Sequence, residues 1–364
     1  MRRAPGPDVV ESEVEADRLS RPPLVVLSRV REFLDAHGLG TGPVVVTRIG
    51  EGGGSNFSFL LERGEDRFVL RRPPRPPLPP SAHDVVREAH LQLALAPLGI
   101  RVPTVRAVCE DADLLGVPFY VTDYIDGFVI TNELPPGLDK DHSARRRLAE
   151  DLIDALVEIH AADVSAPSLA ALARPGSYLE RQVRRFSQLW EVNATRPIPV
   201  VADVGARLAG SFPGPLAPTV VHGDYRLGNM IVSSDRPDRI AAVLDWEMGA
   251  IGDPRADVGY LLATYSEPDG EPSPLGTSPV TSMPGFPTRD ELAARYRDRS
   301  GRDLEPLAWF EALALWKAAV FCEAIYGRFT RGELTADDTR AAAFEQVVPA
   351  LASKASMLLT GIDA

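Results

Sequence analysis

Residues 222–229 read His-Gly-Asp-Tyr-Arg-Leu-Gly-Asn, led in by the apolar pair Val220 and Val221. Asp224 and Asn229 are separated by four residues, and Asp245 follows sixteen residues after Asn229. Met230 to Val232 and Ile240 to Leu244 are predicted as short strands around the polar turn S-S-D-R-P-D-R. That hairpin brings positions 229 and 245 together. The chemistry such a set serves has three parts. One carboxylate meets a hydroxyl. A neutral amide oxygen reaches a metal ion without adding repulsive charge. A second carboxylate, at a strand end, reaches the same metal from another side. Asp224, Asn229 and Asp245 fill these roles in that order.

Before this motif the pattern favours strands. Leu24, Leu27, Val30 and Leu34 recur at helical spacing, and Gly38 ends that helix. Val44 to Ile49, Phe57 to Leu61 and Arg67 to Arg71 read as three strands, with Gly50 to Asn56 as a Gly-rich turn. The segment R-R-P-P-R-P-P-L-P-P is a stiff extended connector. Ser81-Ala82-His83-Asp84 has the form of a helix start, and the helix runs to about Ala96. Val117 to Tyr124 is a boundary strand closed by Asp126-Gly127.

Beyond it the pattern turns helical, with one helix begun near Ser143 and a late one carrying Trp309, Leu313 and Trp316 on one face. Residues 266–288 are rich in Pro, Ser and Gly and read as a functional or mobile loop. The expected architecture is α+β, with a small lobe over 1–122 and a larger helical lobe over 123–364.

Composition narrows the function. The chain is 45% hydrophobic and 25% charged, as folded chains are, and its net charge of −12 argues against a nucleic-acid partner. Its polar N-terminus is expected not to be a secretory signal, and no apolar run is long enough to span a membrane. Cys109 and Cys322 are expected as reduced thiols in a cytoplasmic protein. Of 39 basic residues only three are lysines, Lys140, Lys317 and Lys354. Any chemistry that needs a lysine in the first 139 residues is therefore absent.

With these motifs quoted, the sequence resembles the aminoglycoside phosphotransferase family, over about residues 40–330. It is most similar to actinobacterial members and to the kinase-like domain attached to some acyl-CoA dehydrogenases, as in L-R-R-P-P and L-P-S-A-H. The resemblance implies a two-lobed protein-kinase-like fold, with an antiparallel-sheet N-lobe. It implies transfer of the γ-phosphoryl of ATP to a hydroxyl of a small molecule, an aminoglycoside or another alcohol. Asp224 would be the catalytic base, with Mg²⁺ on Asn229 and Asp245. His222 would be structural, and Asp253 would cap the helix that follows it, with Pro254 in its first turn.

The same pattern places Gly53, Gly54 and Ser55 at the phosphates. Arg71 falls where the family carries a lysine, with Glu88 as its partner. Arginine keeps the charge on a wider, more diffuse head. By position, the Asp123 carbonyl and the Ile125 N–H face the adenine. Asp126, Glu311, Glu323 and Tyr326 are candidates for an acidic acceptor wall suited to an aminosugar. The rival reading is a nucleotide-binding regulatory module that has lost turnover, motivated by the missing lysine. A hydrolase is disfavoured because no G-x-S-x-G motif occurs.

Overall fold

Period-two alternation along Phe68-Val69-Leu70-Arg71-Arg72 buries Phe68, Leu70 and Arg72 and leaves Val69 and Arg71 half-buried on the other face. This strand lies in the first of two compact units, Met1–Ile125 and Asp126–Ala364. The computed structural model describes residues 7–50, 56–76, 78, 83–270, 273–333 and 339–363.

The first unit opens with β1 (Val9–Val10), α1 (Glu13–Asp17), β2 (Val25–Val26) and α2 (Leu27–Ala36). It continues with β3 (Val45–Ile49), β4 (Phe57–Arg63), β5 (Asp66–Arg72), α3 (Val85–Leu95), β6 (Val105–Cys109) and β7 (Phe119–Asp123). One antiparallel sheet runs β3-β4-β5-β7-β6. Phe59, Leu61, Phe68, Leu70, Phe119 and Val121 form its buried face with Val30 and Leu34 of α2. Each such side chain contributes about 1.5–3 kcal/mol on burial. On the opposite face Tyr120 packs against Val85 and Ala89 of α3 and stands beside Arg71 in the β5–β7 ladder.

Several expectations shift here. The first predicted helix begins at Leu27, because Val25 and Val26 pair in parallel with Val9 and Val10 instead of coiling. Gly38 ends it as expected, at φ +66°. Asp84 caps α3 by accepting the Arg87 N–H at 3.0 Å, while Ser81 lies outside the described residues. β6 was not anticipated: it is an edge strand that buries only Ala107 and Cys109, too weak an alternation to stand out.

Arg72 points to the face opposite Arg71. It is buried, and its guanidinium donates to the carbonyls of Leu24, Pro73 and Leu115. Burial, with the nearby charge of Arg75, pulls it down to about 10.

The second unit holds β8 (Gly127–Val129), α4 (His142–His160), α5 (Pro167–Ala170), α6 (Tyr178–Asn193), α7 (Pro199–Gly210) and β9 (Thr219–Val221). Then come β10 (Met230–Ser233), β11 (Ile240–Val243), β12 (Ala250–Gly252), α8 (Arg255–Thr264), α9 (Arg289–Ser300), α10 (Leu307–Thr330) and α11 (Thr339–Asp363). β11-β10-β8 and β12-β9 are two small antiparallel sheets.

The helical core gathers on α10. Trp309, Leu313 and Trp316 are buried there, with Val183 and Phe186 of α6, Val201 and Val204 of α7, and Leu351 of α11. The Trp316 indole N–H donates to the Val201 carbonyl at 2.8 Å. A Cβ on Gly205 of α7 would stand 2.8 Å from the Trp316 ring, so only glycine lets that ring lie there.

The described part of 266–288 is pinned rather than free. Ser273 Oγ donates to the Ala263 carbonyl at 2.7 Å, Ser266 N–H to Thr281 Oγ1 at 2.9 Å, and Tyr265 OH to the Pro287 carbonyl at 2.8 Å. Ser266 and Ser273 thus serve hydrogen bonds that tie this segment to itself and to the end of α8. Among the described residues no helix is long and apolar enough to cross a membrane.

Candidate active site

The loop 222–229 leaves β9, whose ladder with β12 pairs Val221 with Ala250. Its first turn is held by Asp257 of α8, which is fully buried. Asp257 Oδ2 accepts the His222 N–H at 2.6 Å, and Oδ1 accepts the Gly223 N–H at 2.7 Å. Oδ2 also lies 3.2 Å from His160 Nε2. Burial alone raises the Asp257 carboxyl. The hydrogen bond from His160, the electrostatic influence of the His160 and His222 rings and the Gly223 N–H outweigh it, and the net shift is downward.

Gly223 is required at φ +86°, where a Cβ would stand 2.9 Å from the Met248 carbonyl oxygen. His222 is fully buried with both ring nitrogens engaged. The Asp224 N–H donates to Nδ1 at 3.2 Å, so Nδ1 accepts. Nε2 then carries the proton and donates to the Leu244 carbonyl at 2.8 Å. This imidazole ties the loop to the strand leading into Asp245 and has no lone pair left for base chemistry. Tyr225 anchors the next turn by donating to the Leu152 carbonyl of α4 at 2.7 Å.

Asn229 Nδ2 donates to both the carboxylate Oδ2 and the carbonyl of Asp224, each at 2.8 Å. The amide nitrogen is thereby committed to Asp224, which leaves Asn229 Oδ1 as the metal-type donor. The Leu244 N–H donates to the Asn229 carbonyl at 2.8 Å, so Asn229 and Asp245 are joined through one backbone bond and one peptide. Asp245 is half-buried and left-handed, at φ +64° and ψ 58°. For a residue with a Cβ that conformation costs roughly 1–2 kcal/mol, and such strain gathers at functional positions.

In the first unit, Arg71 Nε donates to Glu88 Oε2 at 3.0 Å, with Glu88 buried. Asp123 closes β7. Its N–H donates to the Thr104 carbonyl and its carboxylate pairs with Arg106 at 2.6 Å. Ile125 is half-buried at the end of this unit. Gly53, Gly54 and Ser55 lie outside the described residues.

The acidic acceptor wall does not assemble as expected. Glu311 pairs with Arg289. Glu323 is fully buried, accepts the Thr195 N–H at 3.1 Å and pairs with Arg196, whose guanidinium lies 4.6 Å from the Tyr326 ring centroid. These residues hold helices together. Asp126 is exposed at the start of the second unit. Asp253 accepts the Arg255 N–H at 3.0 Å and forks onto the Arg255 guanidinium. The expected cap shifts by one residue: Pro254 itself takes the N-cap position of α8, and Asp253 stands just before it, bound to the Arg255 N–H and guanidinium.

Sequence reasoning missed Asp257, Tyr260 and Lys317. The run G-D-P-R-A-D carried the signal for the first, since its two acids divide the work: Asp253 pairs with Arg255, and Asp257 braces the loop. Tyr260 is half-buried near Asp224; desolvation of its hydroxyl first, then that carboxylate, push it well above its usual range. Lys317 is 7% exposed, and burial pulls its ammonium down to about 8 against the charges of Asp257 and Asp224.

An antiparallel-sheet unit ahead of a helical unit with an Asp-x4-Asn loop and a strand-end aspartate defines a kinase-like phosphotransferase class. The chain belongs to the phosphotransferase enzyme family (APH), whose model matches residues 45–310. It is 32% identical over 296 residues to acyl-CoA dehydrogenase family member 10 of Mus musculus, which aligns 80% of this chain with 27% of the relative. It is 30% identical over 290 residues to family member 11 of Rattus norvegicus, aligning 79% with 37%. The chain thus spans less than half the length of these curated relatives.

Among solved structures, a Ralstonia eutropha protein described as an aminoglycoside phosphotransferase superposes with a TM-score of 0.76 at 24% identity, over 92% of this chain and 98% of that one. A mutant of aminoglycoside phosphotransferase APH(4)-Ia, in ternary complex with AMP-PNP and hygromycin B, superposes with a TM-score of 0.58 at 16% identity, over 90% and 98%. Both likenesses establish the fold.

Proposed function

We propose that this chain transfers the γ-phosphoryl group of ATP to a hydroxyl of a small molecule. The observation that carries this reading is the double hydrogen bond from Asn229 Nδ2 to Asp224. It fixes the carboxylate of a base beside the amide oxygen of a metal ligand. The Asp224 carboxylate orients the acceptor hydroxyl and takes its proton. The acceptor oxygen bonds to the γ-phosphorus as the bond from that phosphorus to the β,γ-bridging oxygen breaks, and ADP leaves with the electron pair.

The donor set suits Mg²⁺. Asp245 offers a carboxylate and Asn229 an amide oxygen, both hard oxygen ligands, and Mg²⁺ commonly completes its shell with phosphate oxygens and water. Bound there, it would neutralise charge on the β- and γ-phosphates. Arg71, held by Glu88, is the cation for the α/β-phosphates. Gly53, Gly54 and Ser55 contribute the phosphate turn, and the Asp123 carbonyl and Ile125 N–H contribute adenine recognition. These assignments rest on the family pattern.

An aminoglycoside acceptor rests on family likeness alone, since neighbours of this fold are complexes with hygromycin B and kanamycin. The arginine at position 71 keeps a second reading open, a nucleotide-binding module without turnover. The test is phosphate transfer from ATP to a panel of alcohols by the wild type and by Asp224→Asn. Transfer by the wild type and its loss in the variant are expected. Nucleotide binding with no transfer to any alcohol would favour the regulatory module.

A further inference from the structure

The chain uses arginine almost everywhere that it needs a cation, yet position 317, inside α10, is one of three lysines. Lys317 is 93% buried, as its 7% exposure implies. Among the described residues its ammonium makes no hydrogen bond and no salt bridge; its one described contact is with the Phe186 ring, 4.9 Å from the centroid. It lines a cavity of about 10 Å³ together with Gly223, Tyr178, Tyr260 and apolar residues of α8 and α10. That is room for one water-sized group. Gly223 immediately precedes Asp224, whose charge acts on both Tyr260 and Lys317.

A structural explanation for this lysine is weak. Asp257 is the carboxylate whose charge acts most on this ammonium, yet it is already served by two backbone N–H groups and His160. A buried cation with three donors unmet lowers stability. An arginine head would be too wide for so small a cavity, which accounts for lysine in an arginine-rich chain. Glu311 and Glu323, which would attract an amine, are closed off by Arg289 and Arg196. In the cavity next to Gly223 the one charged lining side chain among the described residues is Lys317, and it is positive.

We propose that Lys317, with the Tyr178 hydroxyl, is an anion subsite for the acceptor, which is a hydroxylated organic anion rather than a polycationic aminosugar. The ammonium receives one oxygen of the acceptor's anionic group while the acceptor's hydroxyl is presented to Asp224. This deepens the phosphotransfer reading and rests on it for the second of those contacts only.

Two series of probes, matched in carbon skeleton and differing in charge, test it: gluconate, glucose and glucosamine, and glycerate, glycerol and 3-amino-1,2-propanediol. Binding is measured by calorimetry without nucleotide, and turnover with Mg–ATP. The wild type should bind the anion of each series roughly tenfold or more tightly than its neutral and cationic counterparts, as a charged hydrogen bond provides. In Lys317→Gln that preference should shrink to within about twofold, with the variant's fold checked by circular dichroism. Lys317→Arg, charged but too wide, should recover the preference only in part.

Equal binding of all three charge states by the wild type overturns the proposal, as does an undiminished preference in Lys317→Gln. Anion-selective binding with no phosphate transfer would instead remove the phosphotransfer reading and leave the subsite standing. Transfer that favours the amines would do the reverse.

Discussion

Asp257 Oδ1 accepts the backbone N–H of Gly223 at 2.7 Å. With its other oxygen on the His222 N–H, this buried acid holds the turn that aims Asp224. Replacing it tests whether the loop needs a brace outside itself. Asp257→Asn keeps the volume but turns an NH₂ toward a backbone N–H or His160 and removes the carboxylate that these groups share. A loss of about 3–5 kcal/mol in stability is expected, with turnover falling alongside.

The pH dependence has a definite sign. The Asp257 carboxyl is held below its usual value, so its stabilisation is fully present above the unfolded carboxylate range. It is lost as pH falls through the lowered folded value. Acid titration of the melting temperature should show a component in the wild type that Asp257→Asn lacks; identical profiles would mean that the brace contributes nothing.

Asp224→Asn removes the proton acceptor and keeps an oxygen for Asn229 Nδ2. The loop should hold its shape, turnover should fall by ~10²–10⁴, and nucleotide affinity should change little. Near-normal turnover would remove Asp224 from the base role.

Asp245 combines a left-handed backbone with a carboxylate. Asp245→Asn tolerates that backbone and loses the charge, so metal-dependent nucleotide binding should weaken while the melting temperature holds. Asp245→Ala should also lose about 1 kcal/mol of stability. Calorimetry with Mg–ATP and thermal melts of both variants separate the two effects. Unchanged Mg–ATP affinity in both would place the metal elsewhere.

Arg71 and Arg72 are neighbours with different tasks. Arg72→Ala leaves the buried carbonyls of Leu24, Pro73 and Leu115 without their donor. At about 1–3 kcal/mol for an unsatisfied buried group, the first unit should be strongly destabilised. Arg71→Ala should keep the fold and weaken ATP binding, with partial recovery in Arg71→Lys. Chemical denaturation and nucleotide titration of the same proteins decide it: an unfolded Arg71→Ala beside a folded, ATP-impaired Arg72→Ala would invert the assignment.

Lys317→Met should be more stable than the wild type. The ammonium is held down to about 8 when folded, against an ordinary value of 10.5. Its burial cost is fully present below pH 8, diminishes as pH rises from 8 to 10.5, and is absent above. At 1.36 kcal/mol per unit, the cost is about 3 kcal/mol. The gain from Lys317→Met should therefore be seen at pH 7 and vanish above pH 10.5 in equilibrium unfolding. A variant less stable at pH 7 would show that the cation is already well compensated.

The Asp-x4-Asn spacing, the strand before Asp245 and the alternation that turns Arg71 away from the core are local, and they were legible from the sequence. Spacing and period are set by backbone geometry within a few residues, and the chain carries them openly. The strands β3, β4, β5 and β7 were legible in the same way, whereas β6 was not, because its edge position weakens its alternation.

The residues that escaped this reading depend on distant partners. The carboxyls of Glu311 and Glu323 look like substrate ligands in a sequence until Arg289 and Arg196 are found beside them. Two of the carbonyls that close on Arg72, those of Leu24 and Leu115, come from 48 and 43 positions away in the chain. Asp257 and Lys317 reach Gly223 from helices 34 and 94 positions further along the chain. Charge is a property of the residue, but whether that charge is spent or available depends on which groups packing brings within a few ångströms. Packing joins segments that the order of the chain keeps apart.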